Sequence, residues 1–219
     1  MKNLRTLFAV CLLVIGTAVN AQFLESKSAS SVFSEAKTED WQGVRFSYNN
    51  YTIDAKGADY DAISAYEFGY VKSFSISQVQ PWFIETGVSF SYATGELFSE
   101  YGNDLSANLS SLIVPLNVGY KVAISDNMSV FPYAGISFKG HIAGELEISY
   151  DGESTTVDVF DEDEMGDGET WKRFQLGWQF GATLNISNFN FGLSYGTDFI
   201  ELAKKVDTKS FKISAGFNF

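Results

Sequence analysis

A single histidine, His141, and a single cysteine, Cys11, leave few groups for nucleophilic or acid–base chemistry near neutral pH. An acyl hydrolase would set His141 between a serine nucleophile and an orienting carboxylate. No G-x-S-x-G or comparable nucleophile elbow is expected, and the local alternation puts His141 on the same face as Lys139. The expectation is a histidine satisfied by its neighbours inside the fold. The stretch "DGESTTVDVFDEDEMGDGETW" gathers Asp151, Glu153, Asp158, Asp161, Glu162, Asp163, Glu164, Asp167 and Glu169, with no basic residue before Lys172. Such oxygen ligands among glycines could hold Ca²⁺, but their spacing departs from the EF-hand loop, and the run reads as a solvated, mobile loop. Seven further charges, Arg45, Glu67, Glu85, Lys121, Lys139, Glu145 and Lys212, share one parity along their segments. No residue is assigned a catalytic, cofactor-binding or metal-ligating role, and no enzymatic activity is expected.

The segments that carry these side chains alternate with a period of two. Val44, Phe46 and Tyr48 share a face in the first, and Tyr66, Phe68 and Tyr70 in the second, near Ile63 to Ser75. Trp82, Ile84, Val88, Phe90 and Tyr92 follow in the third, and the fourth alternates from Leu112 to Ile124. The fifth, from Met128 to about Ser149, sets Ala134, Ile136, Phe138 and Ile142 against Tyr133, Lys139 and His141. The sixth runs in steps of two from Phe174 to Ile186, and the seventh from Phe189 to Tyr195. The eighth is "SFKISAGFNF", with Phe211, Ile213, Ala215, Phe217 and Phe219 on one side. The opposite faces are built from Gly, Ser, Asn and Gln together with the charges above. No segment has the period of an amphipathic helix.

Alternation alone does not say which face is inside, because lipocalins and β-sandwiches share it. The connections do. Short ones fall near 77–80, 125–127 and 187–188, and long ones at 51–60, 95–106, 151–171 and 197–208. Eight strands then place both termini and every short turn at one end. Aromatic residues tip the apolar faces: Trp82, Phe189 and Phe219 at the short-turn end, and Tyr92, Tyr150, Trp171 and Tyr195 at the other. The expected fold is all-β, an eight-stranded antiparallel up-and-down transmembrane β-barrel with short periplasmic turns and long extracellular loops. Its apolar faces would meet lipid. A barrel of this size is filled by its own side chains, so the inward charges should pair with one another and not line a pore.

Lys2 and Arg5 precede an apolar run from Leu7 to Val19, and Val19-Asn20-Ala21 supplies a small-residue cleavage site. Residues 1–21 therefore read as a signal peptide, 22–43 as a periplasmic linker and 44–219 as the barrel. Cleavage after Ala21 would remove Cys11, Lys2 and Arg5, leaving 13 basic against 27 acidic residues, a net charge of -14. Such acidity argues against nucleic acid as a partner.

"LIVPLNVGYK", the glycine-rich alternating strands and the terminal aromatic together resemble the outer-membrane β-barrel domain family of Gram-negative bacteria, whose OmpX-like and PorT-like members are small barrels. The resemblance implies residence in the cell outer membrane, in contact with its lipid and lipopolysaccharide. It also implies that the barrel-assembly machinery reads the C-terminal strand through Phe211, Ala215, Phe217 and Phe219. A monomer is expected, with acidic loops in a structural or surface-interaction role and an extracellular partner unnamed. Two other readings stay open: a lipid A-modifying outer-membrane enzyme, and a lipocalin-like carrier of an apolar ligand.

Overall fold

Each alternating segment forms a strand, because a period of two suits a sheet with unlike surroundings on its two faces. The computed structural model describes residues 39–55, 58–59, 62–100, 103–150, 153–165, 170–203 and 206–219. The strands are β1 (Trp41–Ala55), β2 (Ala58–Asp59), β3 (Ile63–Ser75), β4 (Trp82–Glu100), β5 (Asn103–Tyr120) and β6 (Val122–Ser125). They continue with β7 (Met128–Tyr150), β8 (Glu153–Asp158), β9 (Phe174–Ile186), β10 (Phe189–Asp198) and β11 (Val206–Asn218). One helical turn, α1 (Glu162–Met165), lies between β8 and β9.

The wall runs β11-β10-β9-β7-β5-β4-β3-β1, antiparallel throughout, and β1 pairs back onto β11 from Gly43↔Asn218 to Ala55↔Val206. Eight strands thus close a barrel, with β6 prolonging β5 beyond Lys121 and β2 and β8 as short additions. Closure removes the free edges that hydrocarbon could not hydrogen-bond. The chain's last residue takes part, since Phe219 N–H donates to the Gln42 carbonyl at 2.9 Å.

Apolar side chains face outward. Phe46, Phe68 and Phe90 stand 52%, 61% and 47% exposed, while Ser47, Glu67 and Ser91 beside them are buried. This overturns the lipocalin-like carrier, whose apolar faces would line the inside. At the short-turn end β9 and β10 are joined by Ser187 and Asn188, with Ser187 at φ 52°.

The strands outrun the expected ones at the other end. β4 and β5 stay paired from Gly95↔Ala107 to Glu100↔Asn103, across what reads as a loop in the sequence. β7 turns back on itself through β8, from Glu145↔Asp158 to Tyr150↔Glu153. β4, β5, β7 and β8 therefore rise as a sheet beyond the barrel rim. At the opposite end β1 starts at Trp41, three residues before Val44, because Trp41 packs inside against Phe131.

A β-bulge also shifts the phase of β7. Ser110 pairs with Ala143 and Ser111 with His141, leaving Ile142 unmatched. The extra residue reverses which side the following residues face. Glu145, expected inside, is exposed outside, and Leu146 is buried in its place. Tyr150 leaves the aromatic belt for the same reason.

Candidate functional site

The lumen is filled in three layers. At the periplasmic end, Phe83 and Phe131 are fully buried and Trp41 meets Phe131 edge-on at 5.7 Å. Tyr133 stacks on Phe131 at 5.9 Å. Gly119 makes room for this cluster, since a Cβ there would come within 2.4 Å of the Phe131 ring.

The middle layer is ionic. Arg45 reaches Glu85 with both terminal nitrogens, Nη1 to Oε1 at 2.8 Å and Nη2 to Oε2 at 2.7 Å. Glu85 also accepts from Ser73 Oγ and Asn117 Nδ2, and Asn117 accepts from Gln179 Nε2 at 2.8 Å. Lys212 Nζ lies 2.6 Å from Glu67 Oε2, while Asn49 Nδ2 donates to Glu67 Oε1. Lys139 Nζ lies 2.8 Å from Asp198 Oδ2, which also accepts from Thr208 Oγ1. Each pair spans two strands with one strand between them: β1 to β4, β3 to β11 and β7 to β10. Low surrounding dielectric makes an unpaired charge here costly, and a bidentate, hydrogen-bonded pair offsets that cost.

Five of the seven expected inward charges, Arg45, Glu67, Glu85, Lys139 and Lys212, thus come together as partners. Lys121 instead sits half-buried where β5 gives way to β6, its N–H bonded to the Pro81 carbonyl at 2.9 Å. Glu145 lies outside. The missing anion is Asp198, which the alternation of Asn190, Gly192, Ser194 and Gly196 reaches one step further along β10.

The third layer is apolar. Ile53, Ile63, Ala65, Ala93, Leu97, Ala107, Leu109, Leu146 and Val159 form its buried cluster, and Phe160, Met165 and Trp171 pack against it. The acidic stretch is therefore not a free loop over its described part. Val159 N–H bonds the Gly144 carbonyl at 3.1 Å, and Trp171 N–H bonds the Val159 carbonyl at 2.8 Å. The Phe160 ring stacks with the His141 ring at 6.2 Å and has the Arg173 guanidinium over it at 4.3 Å. Trp171, expected in the aromatic belt, belongs to this cap. Apolar residues spaced between the acids (Val157, Val159, Phe160) drive the packing, and the carboxylates stay in water. Glu164, Asp158 and Asp161 accept from the backbone N–H groups of Asp158, Phe160 and Asp163. Among the described residues no group of three or more His, Cys, Asp or Glu side chains could hold a metal ion. Asp151, Asp167 and Glu169 lie outside the described residues.

His141 faces the lumen. Its Nδ1 is 2.7 Å from Ser111 Oγ and its Nε2 is 2.9 Å from Gln175 Oε1. The order serine, histidine, acceptor matches a hydrolytic triad, but a carboxamide cannot stabilise an imidazolium as a carboxylate does. All three side chains are buried, and the adjoining cavity of about 30 Å³ suits one or two waters, not an acyl chain. Against the expectation that no G-x-S-x-G is present, the string Gly192-Leu193-Ser194-Tyr195-Gly196 has that spacing, but it lies inside the strand β10. Ser194 is buried there, and so the string forms no elbow.

The family described as outer membrane protein beta-barrel domain matches residues 9–219. Among solved structures, Ail, the attachment invasion locus protein of Yersinia pestis, in complex with the heparin analogue sucrose octasulfate, aligns with a TM-score of 0.51 at 16% identity, covering 83% of this chain and 99% of that one. Neisserial surface protein A gives 0.47 at 12%, covering 81% and 97%. The outer membrane enzyme PagL gives 0.47 at 13%, covering 82% and 99%. Comparison with curated proteins finds no match. Identities this low bear on the fold alone. The family match, by contrast, spans nearly the whole chain, and the chain belongs to the outer membrane protein beta-barrel domain family, seated in the cell outer membrane.

Proposed function

We propose that the protein is a non-enzymatic, monomeric barrel with a closed interior, whose acidic extracellular elements serve a structural or surface-interaction role. One observation carries this reading: three ion pairs, one with both partners buried and two with the carboxylate buried, lie between an aromatic layer and an apolar layer. A conduit needs wetted polar walls, and this lumen spends its charges on each other. The protein reconstituted in planar bilayers should give no steady ionic conductance. A stable open level would sink the reading.

A second reading, hydrolysis of a lipid A acyl chain, would rest on the Ser111–His141 hydrogen bond despite its burial. Lipid A from cells expressing the protein should keep its mass under our reading. A mass change abolished by Ser111→Ala would favour the enzyme. We take residues 1–21 as the export signal and 22–43 as a periplasmic linker that passes into β1 at its end, so the mature chain should begin at Gln22. By family resemblance, the C-terminal strand addresses the chain to the assembly machinery.

A further inference from the structure

The sheet above the rim has two unlike faces. Its register aligns Phe98 with Leu105, Leu105 with Ile148 and Ile148 with Thr155. Directly opposed residues share a face, and Leu105 packs against the apolar core, so this row looks inward over the barrel mouth. Alternation along β7 agrees: Leu146 is buried core, and Ile148 and Tyr150 follow at steps of two. Yet Phe98, Ile148 and Tyr150 are 41%, 45% and 70% exposed. The other face carries Glu96, Ser106, Glu147 and Thr156 in one row, with Glu145 and Asp158 in the next paired row below. An apolar face continuous with the core thus emerges into the extracellular medium, where bare apolar patches mark contact sites.

We infer that this inner face docks a cationic amphipathic polypeptide segment of an external protein. The inference rests on the surface-interaction reading above. Charge selects the occupant. The register sets Glu153 level with Tyr150 on this face, Glu96, Glu145, Glu147 and Asp158 stand behind it on the other, and from Gly140 to Trp171 the chain has eleven acidic residues and no Lys or Arg. A second copy, at net charge -12, would repel this surface, and anionic lipopolysaccharide would too. A segment with apolar residues on one side and Lys or Arg on the other meets the apolar row and Glu153 together, within the field of the carboxylates behind them.

The test uses the full-length folded protein in phosphatidylcholine nanodiscs and three labelled peptides: alternating Lys-Leu, alternating Glu-Leu and oligolysine. Fluorescence anisotropy should show the Lys-Leu peptide binding protein-loaded discs more tightly than empty ones, the Glu-Leu peptide not binding, and oligolysine binding weakly. The double variant Ile148→Ser/Tyr150→Ser should weaken Lys-Leu binding by at least about tenfold. Phe98→Ser is the second variant should the first not fold, with heat-modifiable migration as the folding check. Equal binding of oligolysine and Lys-Leu, or an undiminished affinity in a folded variant, overturns the docking face. So does a sedimenting dimer abolished by the same variant, which would make a second copy the occupant. Conductance or altered lipid A would remove the underlying reading, whereas a failed peptide arm with both of those silent removes the docking face alone.

Discussion

Ser187 holds the left-handed backbone of the two-residue turn between β9 and β10, at φ 52°. A side chain there costs about 1–2 kcal/mol, and glycine returns about 0.5–1 kcal/mol of that as unfolded-chain entropy. Ser187→Gly should therefore raise stability by up to about 1 kcal/mol, read as a higher urea midpoint for refolded protein. Glu85→Gln works in the other direction. It leaves Arg45 buried beside a neutral partner and should cost about 3–5 kcal/mol. The double replacement Arg45→Met/Glu85→Met should recover most of the loss in the same assay, and a double variant no better than the single would assign the cost to shape. The inward direction of these residues was legible from parity. Their pairing was not, because each partner sits two strands away and the register that brings them level is absent from a one-dimensional pattern. Asp198 escaped because its strand outlasts the run of apolar residues, which stops at Tyr195.

The existence of the eight wall strands was legible along the chain, but their extent and the added strand β8 were not. Above the rim, inward positions become apolar (Leu97, Ala107, Leu109, Leu146), so the contrast between faces that marks a membrane strand fades there. The bulge was hidden because Ile142 fits the outward pattern up to the residue where the phase changes. The cap was masked by its acids, although Val159 is fully buried beneath them. That burial makes a prediction. Protease added to intact cells should cut slowly in the described part of 153–165, and Val159→Asp should speed cleavage there while leaving heat-modifiable migration intact. Equal cleavage of both proteins would mean that the cap is not held down by Val159.

Across the whole molecule, closure of β1 on β11 decides whether the structure exists at all. Phe219 ends that seam, and its deletion should lower the amount of folded barrel in cells far more than the stability of protein refolded in detergent. Comparable losses in the two measurements would make Phe219 an ordinary packing residue. The seam also orders events in time. Glu67 and Lys212 are 145 positions apart, and they meet across β1 only after the last strand has been laid down. Contacts so distant along the chain form late, after the entropy of closing the ring has been met. Until then Glu67 lacks that counterion, and an unpaired charge in such an interior is costly. The Glu67–Lys212 pair is thus a feature of the closed ring alone, and a barrel one strand short leaves Glu67 without its cation.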